Sequence, residues 1–138
     1  MRTLLLTLML VFPGIGLLVS IYFGFDLKRF VATTPEIDSQ SDLERFKQIV
    51  KKQMYGALGQ FVILIIPTLL FLYGFFSRTL FFRDVAYLIV PSLVILAAGL
   101  YFKTLERRAQ TLPIANPQLQ PERDRVVEVW KHKPFPDW

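Results

Sequence analysis

Residues Phe61–Phe76 read FVILIIPTLLFLYGFF, a stretch with twelve Phe, Val, Ile and Leu side chains and no charged residue. At roughly −0.3 to −0.6 kcal/mol per side chain, these residues contribute about −4 to −7 kcal/mol to membrane insertion. Pro67, at the centre, reduces this gain, but no charge opposes it. The stretch therefore predicts a transmembrane helix, and the uncharged run that contains it covers residues 53–77.

Two further uncharged runs, Thr3–Phe25 and Val85–Phe102, are also long enough to cross a bilayer. A signal peptide has about 7–15 apolar residues and a small-residue cleavage site, and Thr3–Phe25 is longer and lacks such a site. We therefore expect a retained transmembrane helix over residues 1–25 and a third one over residues 85–110. With 53% apolar and 20% charged residues, the composition excludes an ordinary soluble globular domain.

The basic residues predict how the helices are oriented. Nine Lys and Arg residues lie in the connection 26–52 and just after the third run, whereas only Arg2, Arg78 and Arg83 lie on the other side. The positive-inside rule then places the N-terminus outside and the C-terminus in the cytoplasm, in a bacterial inner membrane or a thylakoid-type membrane. These residues also account for the net charge of +5, so we expect no nucleic-acid partner.

The five tyrosines support these boundaries independently. All lie near the ends of the predicted spans, where the aromatic ring occupies the membrane interface and the hydroxyl faces water. They are Tyr22, Tyr55, Tyr73, Tyr87 and Tyr101.

The connection 26–52 contains a predicted cytoplasmic helix that continues into the second span. Ser41 and Glu44 fit a capping box at its start. Leu43 and Phe46 begin an apolar stripe, with basic residues on the other side. Two interpretations are open: an amphipathic helix on an anionic membrane surface, or a helix end with solvated or snorkelling basic side chains.

Residues 78–84 are too short for anything but a tight turn, so the second and third helices should form an antiparallel hairpin. Leu80, Phe81 and Phe82 within this turn are expected in the membrane interface or against a partner.

Residues 111–138 form a predicted proline-rich cytoplasmic tail. Pro113 and Pro117 favour an extended chain, and Pro121 suits the first turn of a short helix from Glu122 to about Lys131.

The tail has too few contiguous apolar residues to fold alone, so we expect it to dock on a different chain. Trp130, Phe135 and Trp138 would be its anchors, since aromatic residues dominate binding hot spots.

Few residues in the chain suggest chemistry. Ionisable side chains inside the membrane are the usual mark of a pump or transporter. The interiors of the three runs contain none. The absence of cysteine excludes thiolate metal sites, and the single histidine, His132, has no second ligand nearby. We therefore predict no catalytic residue, no cofactor and no metal, and expect that the protein is not an enzyme.

Small residues predict where helices approach closely. Gly16, Ser20 and Gly24 repeat at a spacing of four along one face of the first helix, and Gly56 and Gly59 form a second patch where the second helix enters the membrane. Packing within the chain and contact with another subunit are both compatible with this pattern.

Together, these features predict an all-α integral membrane protein with three transmembrane helices, a cytoplasmic juxtamembrane helix and a proline-rich tail. The expected role is that of a non-catalytic accessory, assembly or structural subunit of a larger respiratory or photosynthetic membrane complex. Its partners would be other integral membrane subunits and lipids. The alternative is a homo-oligomeric membrane pore or scaffold.

Overall fold

A computed structural model describes all residues from Met1 to Trp138. The chain forms four α-helices: α1 (Arg2–Thr33), α2 (Gln40–Phe76), α3 (Ala86–Gln110) and α4 (Gln120–His132). Short 3₁₀ turns at Phe82–Val85 and Pro117–Leu119 precede α3 and α4. The structure is all-helical, as predicted.

Helices α1, α2 and the segment Phe82–Gln110 are each long and apolar enough to cross a membrane. This confirms the prediction of three membrane-compatible helices. At 1.5 Å per residue, α1 and α2 measure about 48 Å and 55 Å, which exceeds the ~30 Å hydrocarbon core. Both helices therefore extend well beyond their apolar runs, and α2 continues unbroken from Gln40 to Phe76.

The chain divides into two compact units. One, here called the apolar unit, comprises Met1–Ile21 and Gly59–Leu100. The other, here called the polar unit, comprises Tyr22–Leu58 and Tyr101–Trp138.

In the apolar unit, Gly74 stabilises the turn that follows α2. Its carbonyl accepts hydrogen bonds from the backbone N–H groups of Thr79 and Leu80, both at 2.9 Å. A Cβ on Gly74 would lie 2.5 Å from Leu80, so only glycine allows this approach. Leu80 is consequently 2% exposed and packs with Leu5 and Met9 of α1. The expectation that Leu80 faces the interface or a partner is wrong, because the turn folds this side chain back onto its own chain.

An ion pair lies beside the same turn. The guanidinium of Arg2 donates to the carboxylate of Asp84 at 2.8 Å, and the backbone N–H of Phe81 donates to the other carboxylate oxygen at 2.9 Å. The side chain of Asp84 is almost fully buried. A buried carboxylate needs such partners to offset its lost hydration, so this pair secures the start of α1 against the turn before α3.

The polar unit is built around a continuous hydrophobic core. Phe46 of α2 is fully buried at its centre. Its ring centroid lies 6.1 Å from that of Phe30 on α1 and 6.4 Å from that of Trp130 on α4. The end of α3 contributes Ala109 to the same core. All four helices therefore contribute to one hydrophobic core, and Phe46 joins α1, α2 and α4 within it.

The start of α2 lies slightly earlier than the sequence predicts. The side-chain hydroxyl of Ser39 accepts from the N–H of Asp42 at 3.2 Å, and the carboxylate of Asp42 accepts from the N–H of Ser39 at 3.4 Å. This reciprocal pair is a capping box at Ser39 and Asp42. The predicted box at Ser41 and Glu44 is wrong by two residues, because the same spacing of a serine and an acidic residue occurs twice in Ser39–Glu44.

The segment before α4 pairs with the loop between α1 and α2. Ile37 and Ile114 form a single parallel bridge, in which the N–H of Ile37 donates to the carbonyl of Pro113 at 2.9 Å and that of Ala115 donates to Ile37 at 3.0 Å. The chain is extended here, as the prolines indicate. The 3₁₀ turn and α4 then follow, with Pro121 in the first turn of α4.

Replacing Phe46 by alanine is expected to destabilise the polar unit by about 3–5 kcal/mol, because it leaves a cavity in the core between α1, α2 and α4. Both tryptophans of the chain pack against this core, so their fluorescence emission reports on its integrity. We expect emission of the detergent-solubilised Phe46→Ala variant to shift to longer wavelength, and the unfolding midpoint in denaturant to fall.

The matched control is Phe61→Ala, on the same helix, because Phe61 is 64% exposed. Its emission should match that of the wild type. Equal spectra for both variants would contradict the central position of Phe46.

Candidate functional site

Three of the five predicted packing positions lie at close helix contacts. A Cβ at Gly16 would lie 3.3 Å from Ile63, one at Gly24 would lie 2.4 Å from the ring of Phe102, and one at Gly56 would lie 2.8 Å from the ring of Phe23. At each position the missing side chain lets another side chain of the same chain approach the backbone.

The other two positions differ. A Cβ at Gly59 would meet nothing within 4 Å, and Ser20 is half-buried. The sequence left two alternatives open for the first helix, packing within the chain and contact with another subunit. At Gly16 and Gly24 the structure shows packing within the chain. This face is engaged by the protein's own helices at both glycines.

The predicted tail anchors lie against the chain itself. Trp130 and Trp138 pack against the core of the polar unit, whereas Phe135 is 56% exposed. The expectation that all three are buried on a different chain is therefore wrong for the two tryptophans. The reason is that α2 and the end of α3 supply an apolar surface outside the tail, and the two tryptophans pack against it.

Polar contacts hold α4 in this position. Lys47 of α2 forms an ion pair with Glu122, and the guanidinium of Arg123 donates to the carbonyls of Gln110 and Leu112 at 3.2 and 3.3 Å. Since the last carbonyls of a helix lack intrahelical partners, Arg123 also caps α3. These contacts join residues far apart in sequence, and no local motif predicts them.

A further set of contacts holds the residues after α4. The carboxylate of Asp137 accepts from Lys133 at 2.9 Å and from Arg125 at 3.1 Å. The hydrogen bond from Lys133 lowers the pKa of Asp137 below its ordinary value of 3.8, and the charge of Arg125 acts in the same direction. Because the pKa of Asp137 is lower in the folded state, these contacts stabilise the chain end at pH values above its ordinary pKa. The stabilisation is lost as the pH falls through the lowered pKa.

Among the polar side chains of the spans, Gln60 stands apart. The hydroxyls of Thr68 and Ser92 donate to carbonyls one turn back on their own helices, at 3.1 and 2.7 Å. The amide nitrogen of Gln60 is buried beside Gly16 and has no hydrogen-bond partner. An unpartnered buried amide is unfavourable in a hydrocarbon environment, so Gln60 marks a position where a further acceptor would be stabilising.

An apolar groove lies on the exposed surface of α2. It has a volume of about 380 Å³. We call it the α2 groove, and its lining residues are Phe61, Leu64, Ile65, Thr68 and Leu69. Phe61 and Leu69 are 64% and 59% exposed. Because Thr68 turns its hydroxyl back to Leu64, the groove presents an almost entirely apolar surface.

These features define a helical protein whose three long apolar helices are compatible with membrane insertion. No family model, curated protein or solved structure matches the chain. Its exposed surfaces are therefore the basis for any functional proposal.

Gly24 and Gly59 allow a matched test of the packing positions. An alanine at Gly24 would place its Cβ against the ring of Phe102, so we expect Gly24→Ala to lower the free energy of unfolding by about 1–3 kcal/mol. An alanine at Gly59 meets nothing, so Gly59→Ala should be neutral or stabilising by up to about 1 kcal/mol. Thermal unfolding in detergent, followed by circular dichroism, measures both. A Gly24→Ala variant as stable as Gly59→Ala would show that Gly24 is not a close contact.

Proposed function

We propose that the protein is a non-catalytic accessory, assembly or structural subunit of a larger multisubunit membrane complex. The observation that carries this proposal is the α2 groove, an exposed apolar concavity on a membrane-compatible helix. Ridges of one helix pack into grooves of another, and the occupant that fits this surface is an apolar helix of another integral membrane subunit.

The extent of free helix surface supports the same role. Within the most apolar window of α2 only 11% of residues are buried, and within that of α3 only 6%. The chain therefore uses little of these helices for its own packing. Pro13 and Pro67, by contrast, are fully buried, so the proline positions of α1 and α2 are covered while broad outer faces stay free for lipid and partner helices.

For the host, we propose a respiratory or photosynthetic assembly. The support is that the interiors of the spans carry no ionisable side chain, which suits a subunit that packs beside a catalytic core. The excess of basic residues in 26–52 and 103–108 supports an orientation with the N-terminus outside and the polar unit in the cytoplasm.

The alternative function is a homo-oligomeric pore or scaffold. The α2 groove could receive the same helix from a second copy, and Gln60 with Ser20 would then supply a modest polar lining. The hydroxyls of Thr68 and Ser92 support this alternative poorly, because they already bond to their own helices.

A photo-crosslinker tests the proposed interface in native membranes. We expect p-benzoylphenylalanine at position 61, in the α2 groove, to form an adduct with a different polypeptide. The matched control is the same group at position 100 on α3, since Leu100 is 60% exposed and Phe61 is 64% exposed. Adducts are separated by mass and identified by peptide sequencing.

An adduct of twice the protein's own mass would favour the homo-oligomer and overturn the accessory-subunit proposal. Equal adducts from positions 61 and 100 would show that the α2 groove is not a specific interface.

The proposed orientation has a separate test. In intact cells, Lys28 and Lys131 should be protected from a membrane-impermeant amine reagent, because both would lie in the cytoplasm. The same lysines should react fully once the membrane is permeabilised, which serves as the control. Labelling of both residues in intact cells would show that the orientation is the opposite of the one proposed.

A further inference from the structure

A second cleft lies in the polar unit, between the end of α1 and the first turns of α2. It has a volume of about 230 Å³, which is below the roughly 300–1,000 Å³ of sites that enclose a whole drug-sized ligand. Its rim includes Arg29 of α1 together with Arg45 and Gln48 of α2. Phe30 and Ile49, both only 6% exposed, form its apolar floor. We call it the basic cleft.

The two walls of the basic cleft are held together by two polar contacts. Lys52 of α2 pairs with Asp26 of α1 at 3.2 Å. The side-chain amide of Gln53 donates to the carbonyl of Phe23 at 2.8 Å. The cleft is therefore built between two helices that are fastened at one end.

The charges of the basic cleft do not balance. Asp26 neutralises Lys52. Arg29 and Arg45 form no ion pair within the chain. Three cationic side chains and one carboxylate leave two positive charges in one concavity. A guanidinium presents a planar fork of donors that matches phosphate oxygens.

The position of the cleft along the helices corresponds to lipid headgroups. Asp26 directly follows the first apolar run, and Lys52 directly precedes the second. Arg29 lies three residues past Asp26 and Arg45 seven residues before Lys52, or about 4.5 and 10.5 Å along the helix axes. Headgroup layers extend about 5–8 Å on each side of the hydrocarbon core. The cleft therefore begins where the apolar surface ends, with Arg29 at headgroup depth and Arg45 at its outer rim, just beyond the headgroup layer.

We propose that the basic cleft binds the headgroup of an anionic phospholipid, with Arg29 and Arg45 on its phosphate oxygens. The two uncompensated charges match a headgroup with two phosphodiesters, as in cardiolipin. The apolar floor of Phe30 and Ile49 would contact the glycerol and the first acyl carbons. This inference does not rest on the accessory-subunit proposal, because it concerns a different unit and a different ligand.

The full-length protein in detergent micelles tests the proposal by native mass spectrometry. We expect the wild type to retain one cardiolipin, to bind phosphatidylglycerol more weakly and to retain no phosphatidylcholine. The double variant Arg29→Gln/Arg45→Gln should bind cardiolipin about tenfold to thirtyfold more weakly, since each basic residue near an anionic surface contributes a several-fold factor. Asp26→Asn raises the charge of the cleft and should tighten binding.

The matched control is Arg107→Gln/Arg108→Gln. It removes two exposed arginines from α3 in the same unit that also form no ion pair. Its affinity for cardiolipin should stay within twofold of the wild type, and circular dichroism should show equal helix content in all variants. Equal weakening in both double variants would overturn the proposal, because it would mean that only total charge matters.

A free phosphate ion is the other source of the same chemistry. Phosphorus NMR of lipid-free protein with inorganic phosphate alone distinguishes the two. We expect no line broadening that depends on Arg29 and Arg45. Broadening that disappears in the Arg29→Gln/Arg45→Gln variant would identify a site for free phosphate and overturn the lipid assignment.

Discussion

The contact of Phe46 with Phe30 and Trp130 brings together α1, α2 and α4, and the polar unit is arranged around it. A fully buried aromatic side chain stabilises a small core by several kcal/mol relative to its removal. The other ties of the unit, the bridge between Ile37 and Ile114 and the ion pair of Lys47 with Glu122, lie around this core. They position α4 and the segment before it against this core.

The long helices were predictable because their signal is local. A run such as Phe61–Phe76 is identified by its own composition, and the helix stop at Thr33-Thr34-Pro35 follows from the backbone restriction before proline. The capping box shows the limit of this reasoning. Ser39 with Asp42 and Ser41 with Glu44 have the same spacing, and spacing alone does not decide between them.

The surfaces of the molecule were less predictable, because they depend on contacts distant in sequence. Val126 and Val129 of α4 are buried and Trp130 packs against the same core, but the sequence of α4 carries no information on what covers them. The spacing of Gly16 and Gly24 likewise indicates a close approach without naming the neighbour. The α2 groove and the basic cleft are concavities formed by side chains in three dimensions, and neither has a sequence motif.

The sequence separation of the central contact has a consequence for biosynthesis. Trp130 follows Phe46 by 84 residues, and α3 lies between them. During translation, all three long apolar helices leave the ribosome before α4 does. The part of the α2 surface that Trp130 covers is therefore exposed while the helices insert, and it is closed only when α4 arrives. Non-local contacts of this kind form slowly and leave apolar surface open to other encounters. This part of the polar unit therefore stays open to other contacts from the synthesis of Phe46 until α4 docks.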